Sequence, residues 1–257
     1  MCRCLGGRGG PWTGAEMTAE RKVTLIVYAP ALVGDDSRPV AVVHGMERAF
    51  PGLRLDWRVA EDGRPIALPR RDAWLAEGTQ DGGFPLVCNG DEGYPVMISG
   101  LELPADSSPG GQAQFEVHAQ LPPDAAGIAV AADVLEAVAE SARASWGHAT
   151  PSSAGVDIAR QTKNWAANPQ PPPRGLPSLK LPEKIRSPEI PHRLGWLNYW
   201  STAAAQAIGF PDPARDAELL SRTRRTAHGD GWVGRAAHRR AARPGQPRPP
   251  GRAPANL

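Results

Sequence analysis

Two short stretches of the sequence carry side chains that could do acid–base or nucleophilic chemistry. Glu116 and His118 stand two residues apart in the alternating run QFEVHAQL, so both would point to one face of a strand. A carboxylate beside an imidazole can orient the ring for proton transfer. Cys88 could act as a nucleophile, although its neighbours Leu86 and Val87 favour a buried structural thiol. An ordinary solvated strand face explains the Glu116–His118 pair equally well, so an enzyme using these residues is the alternative interpretation.

Common catalytic and cofactor motifs are absent from the chain. It has no G-x-S-x-G, H-E-x-x-H, Walker-type G-x-x-x-x-G-K or strand-borne G-x-G-x-x-G sequence. Cys2 and Cys4 lack the further Cys or His that a zinc site needs, and the six histidines are scattered. We therefore predict a protein that is not an enzyme, with no cofactor and no bound metal.

Composition also bears on where the protein acts. Three cysteines cannot form a disulfide framework, which fits a reducing compartment. The first residues, MCRCLGGRGGPWTG, lack the apolar centre of a secretory signal, and no apolar run reaches the roughly 20 residues of a membrane helix. We expect a cytoplasmic protein that does not span a membrane.

Hydrophobic periodicity predicts a mixture of strands and helices. Alternating or β-branched runs predict about five strands, and apolar residues at helical spacing predict two longer helices. The predicted strands are 22–28, 53–59, 84–88, 95–103 and 114–121, and the helices are 40–50 and 126–146. This order predicts a single α+β domain over residues 20–226, with a mostly antiparallel or mixed sheet packed by helices.

Three segments differ in composition from this predicted domain. Residues 1–19 lack periodicity and are predicted to be disordered, and the proline-rich stretch 168–191 predicts an extended polyproline-like strap. Residues 227–257 are rich in Arg, Pro and Gly and predict a disordered tail, which a shifted reading frame could also produce. A nucleic-acid-binding tail is the weaker alternative.

Charge is distributed unevenly along the chain. Residues 222–257 contain nine arginines and one acid, Asp230, so their net charge is +8. Since the whole chain has a net charge of +2, residues 1–221 carry a net charge of −6. An acidic body favours encounter with a basic partner. A soluble surface without any partner explains the same charge.

The most distinctive stretch is aromatic and lies at 190–209. We predict a helix over 194–209, in which Trp196 and Trp200 share a face because they are four residues apart. Tyr199 would lie beside that face. Such a helix is typical either of a core element with aromatic anchors or of a recognition surface, where Trp, Tyr and Arg are enriched. The partner-binding candidates are Arg193, Trp196, Tyr199 and Trp200.

Residues 187–201, SPEIPHRLGWLNYWS, resemble the C-terminal GW-x-x-Y signature of bacterial immunity proteins of polymorphic-toxin and type VI secretion systems, in particular the immunity protein 52-like group and related bacterial domains of unknown function. The signature residues are Gly195, Trp196 and Tyr199, and the resemblance extends over about 20–226. It implies a small α+β protein that binds and neutralises a cognate toxin and has no catalytic residues of its own.

Overall fold

The computed structural model describes residues 22–60, 63–78, 82–156, 185, 187–226 and 231–235. The helices are α1 Arg38–Ala49, α2 Arg71–Gly78, α3 Ala125–Ala142, α4 Thr202–Ala207 and α5 Ala217–Leu220. The strands are β1 Val23–Pro30, β2 Trp57–Val59, β3 Pro65–Ala67, β4 Gly83–Cys88, β5 Met97–Leu103, β6 Gln114–Leu121, β7 Trp146–Pro151, β8 Leu197–Trp200, β9 Thr223–Arg225 and β10 Trp232–Arg235. None of these helices has the length and apolar character needed to cross a bilayer.

All the described strands join one sheet in the order β3-β2-β4-β5-β6-β1-β7-β8-β10-β9. Every pairing within the described ranges is antiparallel. The expectation of about five strands is therefore wrong, because the sheet has ten. Three of the unpredicted strands, β3, β9 and β10, have only three or four residues, which is too short for a clear alternation. The other two, β7 and β8, are buried along nearly their whole length and so show no polar face.

One face of the sheet is covered by α1 and α3, and the main core lies between them. Every second residue of β1 and β6 points into this core, including Leu25, Val27, Val117 and Ala119. Asp124 caps α3 by accepting a hydrogen bond from the Gly127 amide at 2.8 Å. We call this side of the sheet the helix-covered face.

The aromatic stretch at 194–209 is not one helix. Residues 197–200 form β8, and only Thr202–Ala207 is helical, begun by Ser201, whose side chain accepts from the Ala204 amide at 3.1 Å. The prediction of a helix over 194–209 is wrong for its first half. β8 pairs on one side with β7 and on the other with β10, and this pairing satisfies the backbone of four residues that are buried on both faces.

Part of the predicted tail is an ordered strand. Trp232–Arg235 forms β10, which lies between β8 and β9 in the sheet. The prediction of a disordered tail from 227 onward is therefore wrong for residues 232–235. Pairing with two neighbours orders this short segment although its own composition gives little signal. The predicted disorder of 1–19 and of 236–257, and the proline-rich strap except for 185 and 187–191, lie outside the described residues.

Candidate functional site

The sheet face opposite α1 and α3 carries the chemistry-bearing residues that the sequence singled out. On β6, Glu116 and His118 point to this side because their neighbours Phe115, Val117 and Ala119 point into the main core. Strand register then fixes which residues of β1, β5 and β7 lie beside them. We call this side, across β5, β6, β1, β7 and β8, the polar face.

Two rows of the polar face run across three central strands. In the first, Tyr28 of β1 is paired with Glu116 on one side and Trp146 on the other. In the second, Ile26 is paired with His118 on one side and His148 on the other. Residues that are more than a hundred positions apart in sequence are thus brought within one or two strand spacings of each other.

Glu116 and His118 contact each other as the sequence suggested. His118 Nε2 lies 3.1 Å from Glu116 Oε2, and the imidazole is 42% exposed while the carboxylate is largely covered. A carboxylate in this position orients the ring. The pair can hold or exchange one proton with solvent or with a bound group.

Residues 188–193 lie against the polar face. Trp146 Nε1 donates to the Pro188 carbonyl at 2.9 Å. The Trp146 ring stacks on Tyr28 with centroids 4.1 Å apart, and the His192 ring meets Trp146 edge-on at 4.6 Å. These contacts bring His192 and Arg193 close to the histidines of the sheet.

His148 and its sheet partner Asn198 are the most deeply buried polar residues of this face within the described ranges, each with 1% of its surface exposed. Burial lowers the pKa of His148 to about 3, and the positive charges of Arg193, His192 and His118 add to this effect. The imidazole is therefore neutral at neutral pH. Burial, and then the charge of Glu116, raise the pKa of Tyr28 above its ordinary value, so this phenol keeps its proton.

Buried polar atoms without a partner collect on the polar face and on the segment that crosses it. In the part of the chain that the structure describes, five buried side-chain atoms have no hydrogen-bond partner: Gln114 Oε1, Gln120 Oε1, His148 Nε2, Arg193 Nε and Trp200 Nε1. A buried group in this state costs about 1–3 kcal/mol. The described residues bring together no group of three metal-ligating side chains.

The signature residues have structural roles. A Cβ on Gly195 would lie 2.7 Å from the Ala149 carbonyl oxygen, so only glycine fits against β7 here. Asn198, which the sequence analysis did not single out, closes this turn: its Oδ1 accepts from the Gly195 amide at 2.8 Å, and its Nδ2 donates to the Gly195 carbonyl at 3.1 Å. Tyr199 packs in the main core, where burial, and then the charges of Glu140 and Glu136, raise its pKa to about 12.

The aromatic binding candidates lie on both sides of the sheet. Tyr199 is 5% and Trp200 4% exposed, which leaves these rings almost no surface for a partner. Trp196 is half-buried against the main core, whereas Trp200 belongs to the opposite cluster with Trp146. The expectation that Trp196 and Trp200 share one helix face is wrong, because they do not lie on a helix. Cys88 is buried at the end of β4.

A second surface lies at one end of the sheet and was not predicted. Trp57, Val59 and Ile66 on the β2–β3 hairpin are 37%, 41% and 39% exposed. The sequence pattern places Trp57 and Val59 on the same side as Leu53 and Leu55, but only those two leucines are buried. The reason is register: Trp57 is paired with Cys88 and, through Met97, with Gln120, so its ring lies on the side of the sheet opposite α1 and α3. Ile66 is paired with Arg58 and therefore lies on the other side of the hairpin.

Fold and site together define an α+β protein built on one ten-stranded antiparallel sheet, with α1 and α3 on one face and, on the other, the polar face, where residues of α4 and α5 pack near Trp146 and Trp200. The chain belongs to the family described as a domain of unknown function, DUF5953, whose profile matches residues 34–239. The match passes residue 226 and includes β10. The family description does not mention immunity proteins, so that resemblance stays a prediction.

Two further comparisons add little. No functionally curated protein matches the chain. Among solved structures it is similar to the Pseudomonas aeruginosa T6SS protein PA0821, with 16% identity and a TM-score of 0.49 over 84% of this chain and 65% of that one. This chain thus spans less than two thirds of that protein's length. At this level of similarity nothing about function carries over.

Proposed function

We propose that the protein is a non-catalytic, immunity-type protein that binds and neutralises a cognate bacterial toxin. The resemblance of residues 187–201 to an immunity-protein signature supports this proposal. The observation that carries it is the exposed apolar surface of the β2–β3 hairpin. We define the edge surface as Trp57 and Val59 together with the acidic turn residues Asp91 and Glu92.

The edge surface has the features of a protein-docking site. β3 is the outermost described strand at this end of the sheet, so one side of its backbone has no strand partner within the described ranges. An exposed edge can pair with an extended segment of another protein. Trp57 adds an aromatic ring of the kind that dominates binding energy at interfaces.

Charge favours a basic protein as the occupant. The Trp57 ring packs against Gly90, where an added Cβ would lie 2.8 Å from the indole, so the turn that carries Asp91 and Glu92 adjoins this ring. Both acids are exposed. Together with the charge of −6 on residues 1–221, they would attract a basic toxin and accelerate the encounter.

The proposed function is tested by asking whether the protein restores growth to cells that express a toxin. Each toxin candidate encoded beside this gene is expressed in a sensitive host with and without the protein, and the pair that rescues growth is then measured for binding. We expect Trp57→Ala to weaken that binding at least about ten-fold. Val59→Arg, which places a positive charge on the same surface, should act alike, whereas Ile128→Ala, at an exposed apolar residue of α3, serves as the matched control. Failure of every neighbouring toxin candidate to be rescued or bound would contradict the proposal.

The Glu116–His118 contact favours a second candidate, an enzyme with its site on the polar face. Ser99 of β5 is paired directly with His118 in the sheet, so a hydroxyl lies beside the imidazole. A Ser–His–Glu arrangement of this kind is used in acyl transfer. Hydrolysis of simple chromogenic esters, lost in both His118→Gln and Ser99→Ala, would support an enzyme; equal rates in these variants would oppose it.

A further inference from the structure

We propose that the polar face binds a small oxyanion, a carboxylate or phosphate group, between His148 and Arg193. The site goes beyond the proposed toxin-binding function and is separate from the edge surface. β2 and β7 are five strand spacings apart in the sheet, about 24 Å.

Unsatisfied donors are the first observation. His148 Nε2 and Arg193 Nε are buried, and within the described residues neither has a hydrogen-bond or ion-pair partner. Native proteins rarely leave such groups unpaired unless a ligand, an ion or water completes them. Because His148 is 1% exposed, bulk solvent does not reach this ring.

The Thr150 hydroxyl bears on which nitrogen of His148 carries the proton. The ring is neutral, and Thr150 Oγ1 lies 3.5 Å from Nδ1. If the hydroxyl donates to Nδ1, the single ring proton resides on Nε2. A neutral imidazole N–H and a guanidinium N–H then form the donor set, and an oxyanion is the ligand that accepts from both.

Local charge is the second observation. The charged and titratable groups that face this position are Tyr28, Glu116, His118, His192 and Arg193. The pKa of His148 is lowered further by positive charge on Arg193, His192 and His118. The one acid of this set, Glu116, already contacts His118. An anion beside His148 would balance the charge of Arg193 while the imidazole stays neutral.

The other unpaired atoms of this face do not belong to the same position. Gln114 and Gln120 are six residues apart on β6, about 20 Å, so one small ligand at His148 cannot contact both of their carbonyl oxygens. Inorganic phosphate and acetate are therefore the simplest probes of the site.

Direct titration tests the site. The full chain is titrated with sodium phosphate and, separately, with sodium acetate at constant ionic strength, using calorimetry and the fluorescence of the tryptophans near His148. We expect saturable binding of at least one anion, weakened at least ten-fold in Arg193→Gln and in His148→Gln. Arg70→Gln, at an exposed arginine outside the polar face, should change the affinity less than two-fold.

The outcome of the two titrations decides which anion the site binds, or whether it binds none. Binding of phosphate but not acetate assigns a phosphate site, and the reverse assigns a carboxylate site. If His148→Gln does not fold, Arg193→Gln and Arg70→Gln still form the comparison, because Arg193 is only half-buried. Absence of saturable binding of both anions, full affinity in folded Arg193→Gln or His148→Gln, or an equal loss in Arg70→Gln would overturn the proposal.

Discussion

The two faces of the sheet differ in how completely their side chains are satisfied. On the helix-covered face, apolar residues such as Val27, Leu135 and Val117 are almost wholly buried against α1 and α3. The polar face carries aromatic rings together with histidines and glutamines, and five buried polar atoms there and on the segment that crosses it have no hydrogen-bond partner within the described residues. Apolar burial stabilises both faces, and the unpaired polar atoms of the polar face reduce that stabilisation.

The largest expected effect comes from removing the strand that completes both faces. β10 places Trp232 beside Trp200 and Val233 beside Tyr199, on opposite sides of the sheet. A chain ended after residue 226 lacks β10, and we expect it to lose its cooperative thermal unfolding transition, measured by circular dichroism.

The control is a chain ended after residue 239, where the family match ends. This chain retains β10 and should unfold cooperatively, like the full chain. A chain of 226 residues with the same melting temperature as the full chain would show that the strand contributes nothing to the fold.

A smaller effect is expected where the signature crosses the polar face. In Gly195→Ala, the new Cβ would lie 2.7 Å from Thr150 Oγ1 and 2.8 Å from His148 Cβ. We expect the free energy of unfolding in urea to fall by about 1–3 kcal/mol, the usual cost of overpacking. Gly155→Ala is the matched control, since nothing lies within 4 Å of its added Cβ. Equal stability of the two variants would mean that Gly195 is not needed for the close approach to β7.

The smallest effect is a pH dependence specific to the polar face. The pKa of His148 is about 3 in the folded protein and about 6.5 in the unfolded chain, so between these values the unfolded state binds the extra proton. Stability then falls as pH falls below 6.5, and this residue contributes about 1 kcal/mol between pH 6 and pH 5. We expect the unfolding free energy of His148→Gln to change less with pH over that interval than that of the protein with the unaltered sequence.

Other ionisable side chains lie near His148, among them His118 and His192. The difference between the two curves of unfolding free energy against pH, rather than either curve alone, reports His148. Parallel curves for the two proteins would contradict the neutral, buried state assigned to this ring.

Sequence patterns predicted the elements that have one wet face or a long apolar stripe. The alternation of QFEVHAQL predicted β6 over 114–121, and the structure has the strand at the same residues. β8 was missed because Leu197–Trp200 is buried on both faces and is followed at once by a small-residue run that favours a helix. β10 was missed because its ordering depends on pairing with strands distant in sequence.

The same distinction holds for the candidate site. The two-residue spacing of Glu116 and His118 was visible in the sequence, because strand geometry alone puts them together. His148 and Arg193 belong to the polar face only because β7 lies beside β1 and residues 188–193 cross them. No local pattern carries that information. The exposure of Trp57 likewise depends on its register with Cys88, which places the ring on the side opposite α1 and α3 and which periodicity does not specify.

The account assigns partner recognition to the edge surface and anion binding to the polar face. The most direct test measures the affinity of the rescuing toxin for Trp57→Ala and for Arg193→Gln side by side, by surface plasmon resonance. The account predicts at least a ten-fold loss for Trp57→Ala and less than a two-fold change for Arg193→Gln. A loss confined to Arg193→Gln, with Trp57→Ala and Val59→Arg binding like the unaltered chain, would contradict it.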